Sequence, residues 1–333
     1  MKEESLSSFQ YFEREQEGIF GSGIALGVGH TRESSGLYNV TVVLRGTDGD
    51  EWYSNFSVGN GTLHAGFESA SKFAGECVDS YLDSHGISKN CARLTLTGHS
   101  RGGAVANLLA RDLLLSGDTL SVCAYTFAAP NTTTDKRASD ISYRSIYNLQ
   151  NPEDFICYIP LESWGYTKYG INLSFPEDIL SESAEDYKNM KQSFYTCAGF
   201  PHKGYEGGHC DIECLIQSFS DLCPTTEDFE KKNISSPVGS ITLREFMERV
   251  SCVLSGENPI GGGLFILSCL EDSQLSPLTA LLLEGISFDD ISSEEAVTEG
   301  AIYSSHICEC YEAWLSVLEE DYFLQKINEQ LCA

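Results

Sequence analysis

A chain of 333 residues, 41% of them hydrophobic, is long enough to bury one large core or a core with an insert. Its 49 acidic against 21 basic side chains leave a formal net charge of −28, which repels phosphate backbones and anionic bilayers and argues against a nucleic-acid partner. That charge leaves apolar contact, at most transient, as the route to any lipid surface. No apolar run is long enough to span a membrane, and the opening MKEESLSSFQYFEREQ lacks the basic and apolar regions of a signal peptide. The 13 cysteines are odd in number and show no framework-like spacing, so reduced thiols in a cytoplasm are expected, although a chain trimmed of its leader would read the same way.

Residues 18–46 read as two strands, GIFGSGIALGVGHT and YNVTVVLRG, joined by a polar, glycine-containing turn. An irregular stretch with Trp52 follows. Residues 64–85 then place Phe67, Ala70, Phe73, Ala74, Val78 and Leu82 at helical spacing. The run RLTLTG predicts a short strand leading into a helix over SRGGAVANLLARDLLLSG, with an apolar face at Val105, Leu108, Leu109 and Leu113 and a terminating Gly117. TLSVCAYTFAAP and SYRSIYNLQ predict two more strands. This alternation predicts an α/β fold with a mostly parallel sheet.

From about residue 176 the pattern becomes mostly helical, including CDIECLIQSFSDL, ITLREFMERVSCVL and SPLTALLLEG, broken by polar loops and the glycine run at 261–263. A final helix is expected over YEAWLSVLEEDYFLQKINEQL. The expected organisation is therefore a core over 1–175, a helical insert or cap over 176–300, and a return to the core over 301–333.

Gly98-His99-Ser100-Arg101-Gly102 matches G-x-S-x-G between a predicted strand and a predicted helix. That context defines a nucleophile elbow: the turn leaves no room for side chains beside the serine, and the helix directs its unpaired N–H groups at a developing oxyanion. GHSRGGAVANLLA, the upstream VVLRGTDGDEWYSNF and the HAGF between them resemble the class 3 lipase family of α/β hydrolases. The resemblance covers about residues 38–165 and implies the α/β-hydrolase fold.

It also implies site residues. Thr47, in the Arg-Gly-Ser/Thr motif, would supply part of the oxyanion hole, with the backbone N–H of Arg101 as the second donor. Arg45 and His64 lie in matching motifs but are read as structural, Trp52 as core or pocket wall, and His99 as packing beneath the elbow. IYNLQNPEDFICYIP resembles the family's Asn-x-x-Asp segment and places the acid at Asp154.

A serine hydroxyl needs a histidine to take its proton, and in this fold the order along the chain is serine, acid, histidine. Three histidines follow the acid: His202, His209 and His306. His209 has the separation from the acid typical of compact fungal members. His306 is preferred because it directly precedes the last helix, where it would lie on the loop after the last core strand. Its H-x-x-x-x-Y-x-x-W-L context also resembles the end of longer bacterial members. His202 and His209 stay open as alternatives.

The expected activity is hydrolysis of carboxylic esters of lipids or acylglycerols, a lipase or esterase reaction through an acyl-enzyme, with no cofactor and no metal. Phospholipase, thioesterase or acyltransferase chemistry on the same residues is the alternative, as is a catalytically silent binding module. The groups His202, His209, Cys210, Cys214 and His306, Cys308, Cys310 lack the paired spacing of metal sites.

Overall fold

A computed structural model describes residues 8–16, 22–48, 51–176, 184–205, 208–254, 259–271, 274–285 and 300–332. The five predicted strands are realised as β2 (Ile24–Arg32), β3 (Tyr38–Leu44), β4 (Ala92–His99), β5 (Ser121–Phe127) and β6 (Ile146–Gln150), flanked by β1 (Ser8–Arg14) and β7 (Ile171–Ser174), which were not expected. They form one seven-stranded sheet in chain order. The pairs β1–β2 and β2–β3 are antiparallel, whereas β3–β4, β4–β5 and β5–β6 are parallel. Helices supply two of the three crossovers that parallel pairing requires, α2 (Ala65–Ser84), after the single turn α1 (Trp52–Asn55), and α3 (Arg101–Ser116), while β5 connects to β6 through a loop with a 3-10 turn at Ile141–Tyr143. The sheet and its crossover helices have the architecture of an α/β hydrolase.

Strand alternation explains the core. Val40, Val42, Leu44, Leu94, Leu96, Val122, Ala124 and Ile146 point to one face, where Phe67, Ala70, Ala74, Val78, Val105, Leu108 and Leu109 of the two helices meet them. Helix α3 closes on Gly117, whose φ of 65° is the left-handed conformation expected of its position.

Contacts gather the chain into two compact units, Met1–Leu149 with Tyr166–Leu173, and Gln150–Gly165 with Ser174–Ala333. The sheet and α1 to α3 make up the first. The second contains α4 (Ala184–Ala198), α5 (His209–Leu222), α6 (Thr226–Lys231), the hairpin β8 (Asn233–Ser236) and β9 (Gly239–Thr242), α7 (Leu243–Leu254), α8 (Pro259–Ser268), α9 (Ser276–Gly285), α10 (Ala301–His306), α11 (Cys308–Val317) and α12 (Glu320–Cys332). Trp314 of α11 is its aromatic anchor, stacked on Phe175 with ring centroids 5.6 Å apart and packed against Tyr187 of α4.

Besides the unexpected β7 and the helical turn α1 where an irregular stretch was expected, four features depart from the expected elements. Strand β1 lacks a sequence signal because it is an edge strand whose residues stay largely exposed on both faces. The hairpin β8–β9 replaces the start of a predicted helix, and α7 begins only at Leu243. The glycine run 261–263 lies inside α8 rather than in a loop. The single final helix is two, broken at Leu318, whose extended backbone (φ −86°, ψ 137°) ends α11 before the acidic first turn of α12.

Candidate active site

Ser100 sits between the end of β4 and the first turn of α3 with φ 55° and ψ −127°, a backbone conformation that costs a non-glycine residue strain. Its N–H donates to the Phe127 carbonyl at 2.8 Å, which ties the turn to the end of β5. A Cβ at Gly98 would collide with the backbone of Gly102, and one at Gly102 with the carbonyls of Leu44 and Arg45. The two flanking glycines are thus required by backbone-to-backbone approach, and the strain at Ser100 projects its side chain from the head of the helix.

The Arg101 guanidinium is wholly buried. It donates to the Gly23 carbonyl at 2.8 Å, to Ser22 Oγ at 2.6 Å and to Asn55 Oδ1 at 2.8 Å. Burial lowers its pKa to about 10, opposed by the Glu51 carboxylate 3.8 Å away. Because Oδ1 of Asn55 faces the guanidinium, its amide nitrogen is turned to Thr47, donating to Oγ1 at 2.9 Å. The Thr47 oxygen therefore acts as acceptor toward Asn55, and its own O–H remains available as a donor.

Two neighbours named from motifs prove to be braces. Arg45 pairs with Glu13, Asp48 and Glu51. His64 caps α2 by accepting from the Phe67 N–H at 3.4 Å, and its Nε2 donates to the Asn55 carbonyl at 3.1 Å. The side chain of Trp52 lies outside the described ones.

Asp154 follows β6 and heads a short 3-10 turn, its carboxylate accepting from the Ile156 N–H at 3.0 Å. Nδ1 of His306 lies 3.0 Å from Oδ1 and 2.9 Å from Oδ2 of this carboxylate. A carboxylate only accepts, so Nδ1 carries the proton and Nε2 of the neutral ring is the basic nitrogen. Tyr311 donates its hydroxyl to Oδ2 at 2.8 Å and accepts from the Asn151 N–H at 3.2 Å. The Asn151 side chain in turn donates to the Ser305 carbonyl at 3.0 Å, holding the end of α10 beside the acid.

Residues 38–164 match the family model described as lipase (class 3). Over this segment the chain is similar to class 3 lipases. Thr47, Ser100, Arg101 and Asp154 fall inside the class 3 lipase segment, and His306 falls beyond it. Among solved structures the chain is similar to a lipase from Rhizopus microsporus var. chinensis, with 20% identity over 51% of this chain and 62% of that one and a TM-score of 0.37. The Rhizomucor miehei lipase propeptide complex gives 18% identity over 50% and 57%, with a TM-score of 0.37. Lipase II from Rhizopus niveus gives 20% over 50% and 64%, with a TM-score of 0.36. The matched part is thus less than two thirds of each of these chains, and likenesses this distant carry no argument about chemistry. No curated protein matches the chain.

The other two histidines that follow the class 3 lipase segment have different partners. His209 heads α5 and donates from Nδ1 to the Pro152 carbonyl at 3.1 Å. His202 is buried beside Phe194 and Tyr187, its Nε2 is 3.8 Å from Cys310 Sγ, and desolvation lowers its pKa to about 3. The histidine brought to Asp154 is His306, at the end of the short helix α10 rather than on a loop after a strand. Glu153, next to the acid, accepts from Tyr187 at 3.0 Å and does not compete for that ring.

Sequence reasoning missed Asn55, Asn151 and Tyr311. Asn55 stands within the motif that carries Thr47, and Tyr311 is the tyrosine of the H-x-x-x-x-Y pattern, but neither pattern reveals a hydrogen-bond partner. Among the described residues no group of three or more His, Cys, Asp or Glu side chains is placed to hold a metal ion, and no helix is long and apolar enough to cross a membrane.

Proposed function

We propose that the chain hydrolyses carboxylic esters of lipids or acylglycerols through an acyl-enzyme on Ser100. The observation that carries this reading is the strained elbow at Ser100 within a class 3 lipase segment. It is supported by the hydrogen-bonded pair of Asp154 and His306, an acid and a base that follow the serine in the order this fold uses.

In this mechanism Nε2 of His306 accepts the proton of Ser100 as Oγ attacks the ester carbonyl. The Thr47 hydroxyl and the Arg101 N–H hold the oxyanion of the tetrahedral intermediate. The intermediate collapses with the histidine's proton passing to the departing alcohol. Water, deprotonated by the same histidine, then adds to the acyl-enzyme and releases the carboxylic acid and free Ser100. Asp154 stabilises the imidazolium and fixes its tautomer.

The test is hydrolysis of p-nitrophenyl esters of graded acyl length by the wild type and Ser100→Ala, together with labelling by a fluorophosphonate. Loss of both hydrolysis and labelling in Ser100→Ala supports the reading. Hydrolysis that survives Ser100→Ala overturns it, and a wild type inert to both substrates and label marks a binding module instead.

A further inference from the structure

A carboxylate removed from water must be held by donors or by a counter-charge. Glu51 is only 3% exposed, and its two oxygens meet three groups. Oε2 accepts the Asp48 N–H at 2.9 Å and lies 3.8 Å from Nε of Arg101, while Oε1 accepts from Nη2 of Arg45 at 3.1 Å. The fit is close, since a Cβ at Gly23 would come within 2.8 Å of Oε1.

Two of these contacts bear on the groups assigned to the oxyanion. The Asp48 N–H belongs to the peptide that follows Thr47, so its bond to Oε2 fixes how the backbone leaves Thr47. The Glu51 N–H donates back to the Asp48 carbonyl at 3.1 Å and closes the turn from the other side. Arg101, whose N–H is the second donor, has three neutral acceptors around its guanidinium, and Glu51 supplies the charge that balances it. Glu51 directly precedes α1 and Asn55 ends it, four residues on, a spacing that turns both side chains to one side. Asn55 holds the Thr47 hydroxyl and Nη1 of Arg101; Glu51 holds the Thr47–Asp48 peptide and faces Nε of the same guanidinium.

We infer that Glu51 is a positioning residue of the oxyanion hole: without touching substrate, one buried carboxylate fixes the Thr47 hydroxyl relative to the Arg101 N–H by holding the backbone of the first and the side chain of the second. This inference rests on the esterase reading. A glutamine at position 51 fills nearly the same volume, but its NH₂ group cannot accept. Either the Asp48 N–H or Arg45 then faces a donor, and the buried guanidinium loses its counter-charge.

The experiment measures kcat and KM for a p-nitrophenyl ester and for its thiono counterpart, in which sulfur replaces the carbonyl oxygen, with the wild type, Glu51→Gln, Glu51→Asp and Ser100→Ala. Sulfur accepts hydrogen bonds weakly, so a displaced oxyanion hole costs the thiono ester less. Glu51→Gln is expected to lower kcat on the oxygen ester by about 10- to 100-fold with KM within about twofold, and on the thiono ester by about threefold or less. Glu51→Asp keeps the charge beside Arg101 but shortens the reach to the Asp48 N–H, and is expected to fall between the wild type and Glu51→Gln on the oxygen ester. It carries the same comparison if thermal melting shows Glu51→Gln to be unfolded. A kcat within about twofold of the wild type overturns the inference, and so do equal losses on the two esters, because a merely structural role lowers both alike. Hydrolysis that survives Ser100→Ala, or a wild type inert to both esters, overturns the esterase reading and this inference with it. Hydrolysis that needs Ser100 but is indifferent to Glu51 overturns the role of Glu51 alone.

Discussion

Asp154 and His306 lie 152 residues apart in the chain, yet Nδ1 of the histidine is 2.9 Å from a carboxylate oxygen of the acid. That oxygen is the one that also accepts the Tyr311 hydroxyl, so the ring and the phenol fix the carboxylate from two sides. If this pair serves Ser100, His306→Ala is expected to reduce kcat for a p-nitrophenyl ester by at least ~10³-fold with a small change in KM. His209→Ala, which loses a bond to the Pro152 carbonyl and contacts with Glu213 and the Tyr158 ring, is expected to stay within about twofold of the wild type. The opposite ranking would transfer the role to α5.

Tyr311→Phe keeps the ring that packs on Phe175 and removes one donor to the Asp154 carboxylate. A hydrogen bond to a charged group is worth about 1.5–3 kcal/mol, so kcat is expected to fall by about 10- to 100-fold, with KM little changed. Stability falls over the same range, read as a lower urea midpoint. A kcat equal to that of the wild type would show that the other partners of Asp154 suffice.

Asn55 sets the direction of the hydrogen bond at Thr47 through its own contact with Arg101. Asn55→Leu is expected to lower kcat by about tenfold by freeing the Thr47 hydroxyl to rotate, and Thr47→Val to lower it by about 10²- to 10³-fold by deleting an oxyanion donor. The double variant should be no worse than Thr47→Val alone, since both changes act through one hydroxyl. Additive losses would place Asn55 in a separate role.

His202 provides a pH dependence of stability. Its folded pKa of about 3 lies below the unfolded value of 6.5, so below pH 6.5 the unfolded chain takes up a proton that the folded chain refuses. This contribution is fully present above pH 6.5 and is lost as pH falls from there toward 3, about 2 kcal/mol between pH 7 and pH 5. Urea unfolding at both pH values should show a larger drop in the wild type than in His202→Leu, by about that amount. An equal drop in both would mean that the ring is solvated.

At the elbow, Gly98→Ala places a methyl group against the backbone of Gly102, where neither partner has a side chain that could turn away. Overpacking of this kind costs about 1–3 kcal/mol or more, so the variant is expected to melt at lower temperature and to lose fluorophosphonate labelling together with its native fold. Normal labelling at full stability would contradict the close approach of the two segments.

The sequence by itself determined the elements whose signal is local. The apolar period of α2, the strand–turn–helix around Ser100 and the terminal Gly117 could be read because each depends on the residues that form it. The motifs around Thr47 and Asp154 were equally legible, since their residues are contiguous. Tertiary structure alone decided which histidine Asp154 meets, because His202, His209 and His306 follow it under similar patterns and differ only in what the fold brings beside them. It also decided the roles of Asn55 and Tyr311, whose importance rests on a hydrogen-bond partner and not on a residue type. The edge strand β1 was hidden for a related reason: a strand that buries neither face has no apolar alternation.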